Sequence, residues 1–212
     1  MDNNEISTQL ASLLLQINAI KLNTANPFTW ASGWKSPIYC DNRKTLSYPE
    51  IRDILKNEFT NLIKEQYPTV DVIAGVATGA IAIAALVADM LNLPMVYVRA
   101  STKGHGLENM IEGDINSDKN VVVIEDLVST GRSSLKAVEA LRKAGCEILG
   151  MMAIFSYEFP TAKNNFKAQK VELTTLSNYT TLLSTALHNN LILQSDLALL
   201  DNWRKNPEKW DV

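Results

Sequence analysis

Two hydrophobic periods alternate along the chain. In residues 5–20, EISTQLASLLLQINAI, apolar side chains recur at three- and four-residue spacing, which predicts an amphipathic helix. From Asn26 to Pro49 the pattern breaks into short apolar pieces among three prolines, aromatics and Gly33, the texture of short strands and structured turns. Ser47, Tyr48, Pro49 and Glu50 then spell a helix start, with Ser as cap, Pro early and Glu three residues on, and the helix is expected to run to about Gln66.

Beyond Gln66 the pattern repeats strand, turn, helix. DVIAGV (71–76) is β-rich; Ala77-Thr78-Gly79 is a small-residue turn; AIAIAALVADMLN reads as a helix that Pro94 ends; MVYVR (95–99) is the next strand. After a polar stretch from Ala100 to Asn120, VVVIED (121–126) is a third strand, leading through STG into a helix SSLKAVEALRKAG whose Gly145 suits a C-terminus. EILGMMAIFSY (147–157) and KVELTTL (170–176) predict further strands, and residues 179–212 a helical tail packed down by Trp203 and Trp210. Strands this apolar, covered on both faces and alternating with helices, predict an α/β domain of three layers around a mostly parallel sheet. Right-handed crossovers place the strand-to-helix turns on one edge, where ligands bind.

The length, 212 residues, fits one domain: an N-terminal helix and adjoining segment (1–45), an α/β core (46–177) and the tail (178–212). With 46% hydrophobic and 20% charged residues a packed core forms, and the net charge of -3 argues against general adhesion to nucleic acid or anionic membrane. The longest apolar run, Ala80 to Ala88, is far short of a bilayer span, and MDNNEISTQL lacks a signal pattern, so a cytoplasmic location is expected. Cys40 and Cys146 form no Cys-x-x-Cys and are read as reduced thiols, with neither a disulfide framework nor a zinc knot.

The chemistry concentrates in Val121 to Ser134, VVVIEDLVSTGRSS. A buried strand ends in two carboxylates, Glu125 and Asp126, and a small-residue turn opens a helix at once. Such a turn presents unpaired backbone N–H groups at the positive end of a helix dipole, joined by the hydroxyls of Ser129, Thr130, Ser133 and Ser134, and so cradles phosphate. An ionised carboxylate only accepts hydrogen bonds, which suits vicinal sugar hydroxyls. Phosphate beside a diol describes ribose 5-phosphate. Neither G-x-x-x-x-G-K-[ST] nor a G-x-G-x-x-G after a strand is present.

This segment resembles the 5-phosphoribosyl 1-pyrophosphate (PRPP) signature of the type I phosphoribosyltransferases. The resemblance implies that Glu125 and Asp126 meet the ribose hydroxyls and that the turn, Leu127, Val128, Ser129, Thr130, Gly131, Arg132 and Ser133, holds the 5-phosphate. Two further segments resemble the orotate branch of that family: YVRASTKGHGLENMIEGD (97–114) its mobile catalytic loop, and FTWASGWKSPIYCDNR (28–43) the F-T-x-x-S-G-x-x-S-P segment beside the base, a small hood completed by the C-terminal tail. The implied activity joins orotate to PRPP, giving orotidine 5-phosphate and pyrophosphate in pyrimidine synthesis.

Displacing pyrophosphate from C1 leaves negative charge on the departing oxygens, which Arg99, Lys103 and His105 are placed to meet as catalytic and PRPP-binding groups. Mg²⁺ on the pyrophosphate does similar work through substrate oxygens and water, so no dedicated protein metal site is expected. Gly104, Gly106 and Gly113 let loop 100–115 close over the substrate. Thr78 and Gly79 lie where the family's pyrophosphate loop falls, and the family points to Ser129, Ser32 and Gly33 for orotate. Trp30 and Trp34 suit the hood core better than base stacking. The chain departs from many enterobacterial-type members at Ala31, Thr78, Ala100 and near Tyr157, where they carry basic residues, and those roles are not carried over. A homodimer, its loop reaching the partner's site, is implied. The competing readings are a type I enzyme for another base and a PRPP-binding regulator without catalysis.

Overall fold

A computed structural model describes residues 3–100 and 110–210. Helix α1 spans Asn3–Gln16, shorter than its hydrophobic period suggests. Asn18 takes a left-handed conformation (φ 54°), which asparagine tolerates, and turns the chain into β1 (Ile20–Leu22). Apolar spacing carries on across the break because Ala19 and Ile20 bury themselves in the same core as the helix. Strands β2 (Phe28–Thr29) and β3 (Lys35–Ser36) form a hairpin, and β4 (Ile38–Cys40) pairs antiparallel with β1.

Ser47 does not cap the next helix. It closes a short 3-10 turn, Asn42–Ser47, and α2 (Pro49–Gln66) starts with Tyr48 extended and Pro49 in its first turn. Ile51, Leu55, Phe59 and Ile63, four residues apart, give α2 its buried stripe. Strand β5 (Val72–Val76) and α3 (Ile81–Leu91) follow. Asn92 in the left-handed region (φ 52°) ends α3, two residues ahead of Pro94. Next come β6 (Met95–Val98), β7 (Ile111–Glu112), β8 (Asn120–Val128), α4 (Arg132–Lys143), β9 (Glu147–Ser156), α5 (Pro160–Ala168), β10 (Leu173–Asn178), α6 (Tyr179–His188) and α7 (Leu197–Lys205). Strand β8 runs two residues past the acidic pair rather than ending in it, and β10 is shifted to later residues than its pattern suggests. Helix α5 leaves no periodic trace, because only Ala162 and Phe166 of its nine residues are buried.

The strands form one six-stranded sheet in the order β10-β9-β8-β5-β6-β7, parallel except for β7. From β5 the chain crosses through α3 to β6 on one side, then returns to place β8 on the other. Right-handed crossovers therefore put α3 on one face and α4 and α5 on the opposite face, the three layers expected. Helix α2 packs on α3, and α1 packs on β10 and α6. Between β5 and β8 the connections diverge, opening a crevice at the strands' carboxyl ends. No helix among the described residues is long and apolar enough to cross a membrane.

Both tryptophans of the tail are buried as expected, Trp203 fully. Trp203 meets Trp30 and Tyr157 edge-on, each at 5.7 Å between ring centroids, and its indole N–H donates to the Lys35 carbonyl at 3.2 Å. One cluster thus joins tail, hood and the end of β9.

The Tyr67 hydroxyl, far from this edge, is buried against Gly150 and makes no hydrogen bond of good geometry among the described residues, its contact with Thr174 falling short of one while Thr174 gives its own proton to Gln66 at 3.3 Å. A buried unpaired hydroxyl costs about 1–3 kcal/mol. Tyr67→Phe should therefore leave stability equal or higher by about 1 kcal/mol in urea unfolding; a clear loss would show that the hydroxyl is satisfied.

Candidate active site

Two turns face each other across the β5/β8 crevice. The first follows β5: Ala77 donates its N–H to the Val98 carbonyl at 2.8 Å, the Ala77–Thr78 peptide is cis, and Gly79 brings bare backbone against the Asp126 carboxylate. A β-carbon at Gly79 would strike that carboxylate, so glycine is required by the close approach of the two turns. The second turn follows β8. Gly131 sits at the N-cap of α4 in the left-handed region (φ 76°), and no side chain caps the helix, so its first-turn N–H groups are left for a ligand.

Helix α5, invisible in the pattern, builds this second turn. Asn165 donates to the Thr130 carbonyl at 2.9 Å, and the Phe166 ring fills the space a β-carbon on Gly131 would need. Residue type offered a weak signal at best, since nothing in PTAKNNFKA separates Asn165 from a solvated helix face.

The two carboxylates are not equivalent. Glu125 is 4% exposed and points inward, accepting from the Ser134 hydroxyl at 2.7 Å and from the Asp126 N–H at 3.0 Å. Ser134 is itself buried, so its hydroxyl serves Glu125 and not the phosphate cradle expected of it. Asp126 is partly exposed and its carboxylate lies against Gly79 in the crevice. Burial first, then the Asp126 charge and a hydrogen bond to that carboxylate, push the Glu125 carboxyl up to about 8. Glu125 therefore keeps its proton at neutral pH.

This has a stability consequence with a definite sign. The unfolded glutamate ionises near 4.5, whereas the folded one keeps its proton to about 8, so the folded state binds the extra proton between these values and stability falls as pH rises through them. Glu125→Gln removes that dependence. Its Tm relative to the native chain should rise between pH 5 and pH 8, and a difference independent of pH would contradict the assignment.

Asn42, which the sequence reading passed over, is 1% exposed and donates to the Asp126 main-chain carbonyl at 2.7 Å; its own side-chain oxygen faces the Cys40 thiol at 3.3 Å. Only its polar character at a buried position could have flagged it. Cys40 in turn borders a cavity of about 360 Å³ beside the acidic pair, roofed by Thr29, Trp30 and Ala31 from the hood and closed by Tyr39. Leu127, Ser129 and Tyr157 complete its lining. Burial, then the negative charges of Asp126 and Asp41, push the Cys40 thiol well up, so it stays neutral. Trp30 belongs to both the aromatic cluster and the cavity wall.

Of the other expected residues, Ser129 borders the cavity, whereas Ser32 and Gly33 form the exposed tip of the β2–β3 hairpin and do not line it. Val128 is fully buried, leaving only its main chain for contact, and its carbonyl accepts from Tyr157. Arg132 and Ser133 face a second depression of about 700 Å³ along α4 with Lys136 and Ala100. Arg99, after β6, is paired with Glu112 at 3.0 Å. Lys103 and His105, and most of the expected mobile loop, lie outside the described residues.

Among the described residues no group of three or more His, Cys, Asp or Glu is placed to hold a metal ion. The donors that are present fit a hard cation held mainly by substrate: Asp126 offers a partly exposed carboxylate, and Glu125 is turned inward.

An uncapped helix start, the Asp126 carboxylate shortly before it and a small-residue loop facing that carboxylate meet at the point where the sheet order diverges, the layout of a ligand site in an open parallel α/β sheet. The model of the phosphoribosyl transferase domain matches residues 44–179, and the chain belongs to that family. It is 61% identical over 202 residues to the orotate phosphoribosyltransferase of Bacteroides thetaiotaomicron, with 95% of each chain covered. Among solved structures it resembles the orotate phosphoribosyltransferase of Aeropyrum pernix (28% identity, TM-score 0.74, 82% of this chain and 96% of that one). It also resembles the UMP synthase of Leishmania donovani (29% identity, TM-score 0.76, 93% of this chain), of which it spans 42%.

Proposed function

We propose that the chain is an orotate phosphoribosyltransferase, moving ribose 5-phosphate from PRPP to orotate with release of pyrophosphate, in pyrimidine biosynthesis. The observation that carries this reading is that an uncapped helix start, the Asp126 carboxylate against Gly79 and a largely apolar cavity lined by Leu127 and Ser129 all belong to one turn after β8 and its neighbours. The full-length relative at 61% identity supports the choice of base.

The turn from Leu127 to Ser133 takes the 5-phosphate on main-chain N–H groups and hydroxyls. Asp126 accepts the ribose hydroxyls, held in place by Glu125 beneath it and by Asn42. Thr78 and Gly79 offer main chain to the pyrophosphate, and Arg99, Lys103 and His105 neutralise it, Arg99 by exchanging Glu112 for phosphate oxygens. Orotate occupies the 360 Å³ cavity with Ser129 at its wall. Its N1 gives up its proton to solvent and supplies the electron pair for the new bond to C1, while the C1–O electrons leave with pyrophosphate. Mg²⁺ bound together with the substrate, for which Asp126 would be the nearby carboxylate, would supply further positive charge at the leaving group.

The chain works as one phosphoribosyltransferase unit in the cytoplasm, as a homodimer in which loop 100–115 reaches the partner's site. Following orotate absorbance with PRPP, with and without Mg²⁺, tests the activity. Consumption that requires both supports it. PRPP binding without consumption of any base would instead favour a regulator, and turnover of another base alone a different type I enzyme.

A further inference from the structure

The cavity beside the acidic pair sets a problem of charge. Its described walls are aromatic, aliphatic or neutral polar, and the carboxylates nearest its inner end, Asp126 and Asp41, act on Cys40 with negative potential. A planar anion entering it needs a positive charge that does not itself have to be buried. Lys35 meets that requirement. It stands directly across the β2–β3 hairpin from Thr29, a cavity-lining residue, and its Nζ donates to the Thr29 hydroxyl at 2.9 Å.

The position is built rather than incidental. The Lys35 carbonyl receives the indole N–H of fully buried Trp203, and Ser36, next along, is fully buried with its hydroxyl donating to the Ile38 carbonyl at 2.8 Å. The hairpin is therefore fixed to the tail at the residue that carries the ammonium. Arg43, another cation of this segment, is committed to Asp41 through hydrogen bonds of 2.7 and 3.1 Å. A cavity of 360 Å³ is roughly 7 Å across, so any carboxylate inside it lies within a Debye length of a charge on its rim.

Resting on the reading of the cavity as the base site, we propose that Lys35 is a specificity-determining residue that receives the carboxylate of the anionic pyrimidine at the cavity rim and so favours it over uncharged bases. The Thr29 hydroxyl steers the ammonium toward the cavity. Ser129, which also lines the cavity, adds a neutral hydrogen bond.

Lys35→Gln keeps an N–H donor for Thr29 and removes the charge; Lys35→Arg keeps the charge. The expected result is a KM for orotate raised about tenfold in Lys35→Gln, near one charge-assisted hydrogen bond, with the KM for PRPP unchanged and Lys35→Arg within about threefold of the native chain. Inhibition by the uncharged 6-carboxamide of orotate should be the same in the native chain and in Lys35→Gln. An unchanged KM for orotate in Lys35→Gln, an equal rise in both KM values, or equal weakening of the carboxamide would overturn the inference. A native chain that consumes no orotate would instead remove the reading beneath it.

Discussion

Replacing Lys103 with alanine is expected to lower kcat by about a hundredfold or more while leaving the melting curve unchanged. The reasoning is one of charge at the leaving group. As the C1–O bond breaks, negative charge gathers on pyrophosphate, and a cation meeting it there stabilises the transition state more than the ground state. This chain has alanine at position 100, so the burden falls on Lys103 together with Arg99 and His105. Arg99 is already engaged with Glu112 at 3.0 Å and must exchange partners to contribute, which makes Lys103 the residue with most to lose. Steady-state assays at saturating PRPP check this: a kcat within threefold of the native value would remove Lys103 from the chemistry.

Asp126→Ala is expected to weaken PRPP binding by about a hundredfold, through the loss of one to two charge-assisted hydrogen bonds of about 1.5–3 kcal/mol each. Its carboxylate is the partly exposed member of the pair and lies directly against Gly79. Asp126→Asn retains the shape and should recover part of the loss. Gly79→Ala approaches the same site from the other turn, because its β-carbon takes the space the carboxylate occupies. Calorimetric titration with PRPP checks both; an unchanged affinity in Asp126→Ala would take the ribose role from this carboxylate.

Much of this was legible in the sequence because it is local. The run from Val121 to Ser134 spells strand, carboxylates, turn and helix in consecutive residues, and the structure lays them out in that order. Buried strands at 72–76 and 147–156 were legible for the same reason: continuous apolar runs leave few alternatives. What escaped depends on contacts between distant segments. Asn42 reaches Asp126 across 84 positions and Trp203 reaches Lys35 across 168, and no spacing rule links such pairs. Helix α5 escaped because its nine residues bury too little to set a period, although Asn165 and Phe166 shape the turn after β8. The inequality of Glu125 and Asp126 was hidden too, since adjacent strand residues point to opposite sides and the sequence does not say which side is the crevice. Ser32 and Gly33 mark the hairpin by their turn chemistry, while the cavity is lined by Thr29, Trp30 and Ala31 just before them.

The account depends most on the turn after β8 holding a phosphorylated sugar. Titrating the native chain with PRPP in a calorimeter, with Mg²⁺ present, and repeating the titration with Gly131→Val, in which a branched side chain meets Phe166 at a residue of positive φ, addresses this directly. Saturable binding of one PRPP per chain, abolished or severely weakened in a Gly131→Val protein that still melts cooperatively, is the predicted result. No binding to the native chain, or equal binding to both proteins, would contradict it.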